Sequence, residues 1–119
     1  MFRTYSCLIL QTATLSAQDQ FTMTELQLDD LSAFRSTQQN WKIVGGAQAA
    51  LDEPKKLKTT AGQGVLVNLP DDANKAQIFT QFEHGDIDLE FEVMMPAGSN
   101  SGGYLQGRYE IQLLDSWGR

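Results

Sequence analysis

An all-β fold, an antiparallel β-sandwich, is what this sequence predicts. Residues 86–93 (DIDLEFEV) alternate acidic and apolar side chains without a fault, the period of two that a strand with one buried face requires. Short apolar runs recur along the chain with Gly, Pro, Asn and Asp between them, as strands and turns do. No stretch carries a convincing i, i+3, i+4 apolar stripe of an amphipathic helix.

The chain has 119 residues, room for one small domain at most. Its formal net charge of −6 excludes a general nucleic-acid partner, which needs a basic face. No apolar run approaches the roughly 18 residues of a membrane span. Cys7 is the only cysteine, so no intrachain disulfide forms. His84 is the only histidine, which excludes a His-rich zinc site and leaves no basis for assigning a metal or cofactor.

The elements follow in order. Residues 1–17 read as an export signal: Arg3 is the lone charge, Leu8, Ile9 and Leu10 are apolar, and Ser16 and Ala17 are small residues before a cut at Gln18. A secreted or periplasmic location is expected, with residues 18–119 as the mature domain. Residues 21–34 have short helical spacing at best, and Asp29-Asp30 marks a turn. Residues 41–44 (WKIV) form a strand, Gly45-Gly46 a hairpin dipeptide, and residues 47–51 the return strand. Residues 52–64 are a polar loop around Pro54 in which Lys55, Lys56 and Lys58 are solvated. Residues 65–69 (VLVNL) are a strand stopped by Pro70-Asp71-Asp72, and residues 77–82 another. In residues 86–93, Ile87, Leu89, Phe91 and Val93 share a buried face, and the four carboxylates face solvent. Residues 95–103 are a turn-rich loop; residues 104–106 and 108–115 are the last strands.

The last segment carries the chemistry. Alternation puts Glu110 and Gln112 on one face of the strand, with Tyr109, Ile111 and Leu113 on the other, and Ile111 is expected to be buried. Asp115 falls on the apolar face. A bulge near Leu113 or Leu114 would re-aim it beside Glu110 and Gln112, where two carboxyls divide the work of acid and base. Without a bulge, Asp115 is a strand-end turn residue and Glu110 works alone. The plain alternative is an edge strand whose polar side faces water.

These residues also carry a resemblance. Asn100-Ser101-Gly102, followed by Gln106-Gly107-x-Tyr109-Glu110-Ile111-Gln112-Leu113-Leu114-Asp115-Ser116, resembles the signature of the 3-keto-disaccharide hydrolase family. Trp41-x-Ile43-Val44-Gly45-Gly46 and Gly85-Asp86-Ile87-x-Leu89-x-Phe91 follow the family's order of elements, so the resemblance covers about residues 26–117. It implies an exported bacterial protein with a concanavalin-like jelly roll. It also implies cleavage of 3-keto-glycosides, whose ketone acidifies the neighbouring C–H so that a base expels the aglycone by elimination, with water added afterwards. On this reading Glu110 is the general base or an electrostatic residue, Asp115 its acid partner, and Gln112 orients the sugar. Asn100 shapes the approaching loop, and Tyr104 and Arg108 are candidate contacts to the carbohydrate substrate, with a core position for Tyr104 and a salt bridge for Arg108 as the plain alternatives. Family members continue with strands that complete both sheets. Residues 18–119 are therefore expected to be the N-terminal portion of the jelly roll, inactive alone, with the C-terminal half of the same domain as partner.

The strand is also similar to the Glu-Ile-Asp-x-x-Glu motif of laminarinase-type glycosidases, with Glu110 at the nucleophile position. Gln112 stands where that motif has Asp, and Asp115 where it has the acid/base Glu. Both departures argue against a two-carboxylate retaining mechanism and suit a site with one base. Two other readings remain at this stage: a noncatalytic carbohydrate-binding module on the same scaffold, and a structural domain without a sugar site.

Overall fold

A computed structural model describes residues 3–12, 22–35 and 38–119. Among them there are seven strands and no helix: β1 (Arg3–Thr12), β2 (Thr22–Glu25), β3 (Trp41–Gln48), β4 (Lys58–Asn68), β5 (Asp88–Met94), β6 (Asn100–Leu105) and β7 (Tyr109–Leu114). Every pairing between strands is antiparallel. The chain is thus all-β, with its strands in two sheets, as the alternation and turn signals predict.

The larger sheet is organised around β1. One edge of β1 carries β5 along its length, from Arg3↔Met94 to Gln11↔Asp88. The other edge is shared: β2 pairs with Ile9–Thr12 and β4 with Arg3–Tyr5. β3 closes the sheet against β4. Residues 3–12, expected inside the export signal, are therefore the strand that links β5 to the rest. The expected cleavage point at residues 16–18 lies outside the described residues.

The core sits on the two faces of the β3–β4 ribbon. Val65 and Val67 point to one side, where they pack with Val44 and Ala47. Leu66, one residue out of phase, points to the other and packs with Leu28 and Phe34. Leu26, Leu31, Trp41, Ile43 and Ile78 close that second cluster. A continuous apolar run such as Val65-Leu66-Val67 fits a strand covered on both faces, and Val67 is completely buried. Polar groups in this region are paired except for the buried Asn40 Oδ1, which accepts no hydrogen bond from the described residues. The Asn40 side-chain amide donates to Asn68 Oδ1 at 2.7 Å and to the Ala76 carbonyl at 2.9 Å, and Trp41 Nε1 donates to the same carbonyl at 2.8 Å.

Four expectations are corrected. Gly45-Gly46 is not a hairpin turn: β3 runs through it to Gln48, and β4, not residues 47–51, is the return strand. The glycine signal has another cause. Between the pairs Val44↔Val65 and Gly46↔Thr60, one residue of β3 opposes four of β4. This bulge brings the two backbones together: a Cβ on Gly45 would lie 2.6 Å from the Ala61 carbonyl oxygen and 2.9 Å from Gly62 Cα. Only glycine permits that approach. Second, Lys58–Gly64 belongs to β4 rather than to a loop, because the bulge consumes its glycines. Third, residues 77–82 make a lone bridge, Phe34↔Thr80, not a strand. Fourth, residues 100–103 are strand rather than loop. Residues 86–93 behave as expected: Ile87, Leu89, Phe91 and Val93 are half-buried and the carboxylates between them exposed.

Candidate functional site

The second sheet is the β6–β7 hairpin, and it holds the candidate residues. Its three-residue turn runs from Gln106 to Arg108, with Gln106 and Gly107 at positive φ (53° and 63°). The Arg108 N–H donates to the Leu105 carbonyl at 3.1 Å. Gly107 adopts the left-handed conformation without steric cost. Gln106 Nε2 also reaches the Gly85 carbonyl at 3.3 Å, tying the turn to the loop before β5.

The register then places every side chain. Asn100 pairs with Leu114, Gly102 with Gln112 and Tyr104 with Glu110, with no shift along the ladder. Paired residues share a face, so Asn100, Tyr104, Glu110 and Gln112 stand together. Gln112 Nε2 donates to Asn100 Oδ1 at 2.5 Å and to the Ser101 carbonyl at 2.6 Å. These bonds hold the amide of Gln112 and leave its carbonyl oxygen outside them. The Glu110 side chain lies across Gly102: a Cβ there would fall 2.6 Å from Glu110 Cγ and 2.7 Å from Cδ. Tyr104 stands directly opposite Glu110 in the register, and the approach of its hydroxyl to the Glu110 carboxylate, with that group's charge, raises the phenol above its ordinary pKa. All four side chains are open to solvent.

Asp115 and Arg108 are not part of this group. The ladder carries no bulge, so the rearrangement that would bring Asp115 beside Glu110 does not occur. Asp115 Oδ2 accepts from the Gly98 N–H at 2.7 Å and Oδ1 from the Trp117 N–H at 3.2 Å. Those two backbone donors, Gly98 first, hold its carboxyl below the ordinary carboxylate value. The Asp115 N–H extends the ladder to the Ser99 carbonyl at 3.0 Å. Asp115 therefore fastens the base of the hairpin, the strand-end role expected if alternation runs on unbroken. Arg108 occupies the hairpin turn, at the far end from Asp115.

Ile111 corrects an expectation: it is 43 % exposed, not buried. The hairpin is a sheet of its own, and its apolar face approaches the larger sheet at Gly103, where a Cβ would lie 3.9 Å from Phe91 Cζ. A shallow cleft of about 340 Å³ lined by Gly45, Gly46, Gln48, Lys58 and Thr60 contains none of the candidate residues. Among the described residues, no group of three His, Cys, Asp or Glu could hold a metal ion.

The sequence alone does not reveal the Tyr104–Glu110 contact or the role of Gly102. Both depend on the register, in which residues 106–108 form a three-residue connection between the paired Leu105 and Tyr109; a two-residue turn at Gln106-Gly107 would set Tyr104 opposite Tyr109 instead. Treating residues 100–103 as a loop hides it.

Residues 10–119 match the family model of the 3-keto-α-glucoside-1,2-lyase-like domain. No curated protein and no solved structure matches the chain. The family match spans nearly the whole sequence and includes both sheets from within β1 onward, so the chain belongs to the 3-keto-α-glucoside-1,2-lyase-like family.

Proposed function

We propose that this protein acts on 3-keto-glycosides, cleaving the glycosidic bond by elimination and leaving the sugar for hydration. The observation that carries this reading is a single carboxylate, Glu110, laid across Gly102 and opposite Tyr104 on a polar hairpin face, in a chain of this family. A ketone at carbon 3 acidifies the hydrogen on carbon 2. Glu110 takes that proton, the electron pair forms the bond between carbons 1 and 2, and the aglycone leaves carbon 1 with the bonding electrons. One base suffices for this, whereas hydrolysis by two carboxylates needs a second one within reach, and Asp115 is engaged at Gly98 and Trp117. Gln112, anchored by Asn100, offers its carbonyl oxygen to a sugar hydroxyl.

The test is turnover of a 3-keto-glucoside by the full-length enzyme, with both halves of the jelly roll, and by its Glu110→Gln variant. The expected result is a loss of about 10²–10⁴-fold, the contribution of a positioned base, with sugar binding kept. Undiminished turnover removes the catalytic reading. The open hairpin face, with Tyr104 48 % exposed, supports a second reading, a noncatalytic carbohydrate-binding module. That reading predicts binding without turnover in the unaltered chain.

Export belongs to the same proposal. Intact mass of the protein secreted from a bacterial host should start at Gln18. Recovery of Met1 or Arg3 on the exported protein removes it. The outcomes differ in structure, because a chain starting at Gln18 lacks β1.

A further inference from the structure

An elimination that expels a sugar alkoxide needs an acid as well as a base, and Asp115 does not stand beside Glu110. The neighbours of Glu110 on the hairpin face are Gly102, Gln112 and Tyr104. Gly102 has no side chain. The Gln112 amide is not an acid, and its N–H donors are engaged with Asn100 and Ser101. Tyr104 carries the one remaining exchangeable proton, directly opposite Glu110 in the register, and its ring is open to an arriving sugar.

We propose that Tyr104 is the proton donor to the departing aglycone oxygen, acting as a dyad with Glu110. This rests on the elimination proposed above. The step balances as follows. The carbon 2–hydrogen bond breaks and its proton passes to Glu110. The carbon 1–oxygen bond breaks and the aglycone oxygen takes the phenolic proton of Tyr104. The protonated Glu110 then returns its proton to the phenolate that stands opposite it in the register, and both groups are back in their starting states. The order is self-timed. While Glu110 is charged, it disfavours loss of the Tyr104 proton; when it receives the carbon 2 proton, that hold is released and the phenol becomes more acidic than before. The donor is thus armed by the event that creates the need for it.

The experiment compares two substrates in the full-length enzyme: a 3-keto-disaccharide, whose leaving alcohol is a poor leaving group, and 4-nitrophenyl 3-keto-glucoside, whose leaving phenol departs without protonation. Tyr104→Phe removes one exposed hydroxyl and keeps the ring. It is expected to slow kcat on the disaccharide by about 10²-fold or more and to change kcat on the nitrophenyl substrate by less than about threefold. Glu110→Gln is expected to slow both. A Tyr104→Phe variant that loses the same factor on both substrates, or none on the disaccharide, overturns the assignment while Glu110 keeps its role. Full activity of Glu110→Gln overturns the elimination reading itself, and the Tyr104 assignment with it. A thermal melt of Tyr104→Phe that matches the unaltered chain confirms that the difference between substrates is chemical.

Discussion

The β3–β4 ribbon and the β6–β7 hairpin are both antiparallel pairs, yet they are built for opposite purposes. The ribbon is covered on both faces, with Val67 fully buried between two apolar clusters. The hairpin is open on one face, with Glu110, Gln112 and Asn100, and only partly covered on the other, where Leu105 and Leu113 are half-buried but Tyr109 is 66 % and Ile111 43 % exposed. Each pair also contains a glycine that another group overlies, but the group differs. Over Gly45 it is backbone; over Gly102 it is the Glu110 side chain. Glycine in the ribbon serves the fold, and glycine in the hairpin serves the placement of one carboxylate.

The largest effect that would break this contrast is a buried charge. Val67→Asp should abolish cooperative folding, at a cost above about 4 kcal/mol, whereas Ile111→Asp should stay within about 0.5 kcal/mol; urea denaturation midpoints check both. Equal losses would mean that the hairpin is covered after all. Next comes the pair of glycines. Gly45→Ala should cost about 1–3 kcal/mol through the backbone clash. Gly102→Ala should leave the midpoint nearly unchanged but lower 3-keto-glucoside turnover by about tenfold or more, because it displaces Glu110. A smaller effect is expected at the ribbon's polar rim: Trp41→Phe loses the bond to the Ala76 carbonyl and should cost about 1 kcal/mol in a thermal melt.

The smallest effect is at the hairpin base and depends on pH. The folded-state pKa of Asp115 lies below its ordinary value, so its carboxylate adds stability above the unfolded value of about 3.9. That contribution disappears as the pH falls through the lower folded value. Asp115→Asn should therefore melt earlier than the unaltered chain at neutral pH and match it in strong acid. A difference that persists in strong acid would show that the Asp115 bonds are not charge-assisted.

How much of this was legible in the sequence depended on whether the signal was local. Alternation in residues 86–93 and the Val65-Leu66-Val67 run announce strands, because side-chain period and burial are written residue by residue. The bulge at Gly45 was not legible: Gly-Gly reads as a turn, and only the partner strand reveals that four residues oppose one. The exposure of Ile111 was hidden for a related reason. Period two gives it a face but cannot say whether another layer covers that face. For the site, Glu110 and Gln112 were placed together correctly by alternation, while Tyr104 joined them only through register across the hairpin. Asp115 turned on a bulge that no residue type requires.

The position of β1 has a consequence in time. Its pairing with β5 joins Arg3 to Met94, so one edge of the first strand waits until nearly the whole sequence has been made. At 5–20 residues per second, that wait is roughly 5–18 s, while the β6–β7 hairpin closes within about 10 μs of its synthesis. During those seconds the strand that will join β5 to its neighbours is an extended segment containing Leu8, Ile9 and Leu10. What meets that segment first, β5 or another binder of extended apolar chain, is decided by a race between elongation and capture.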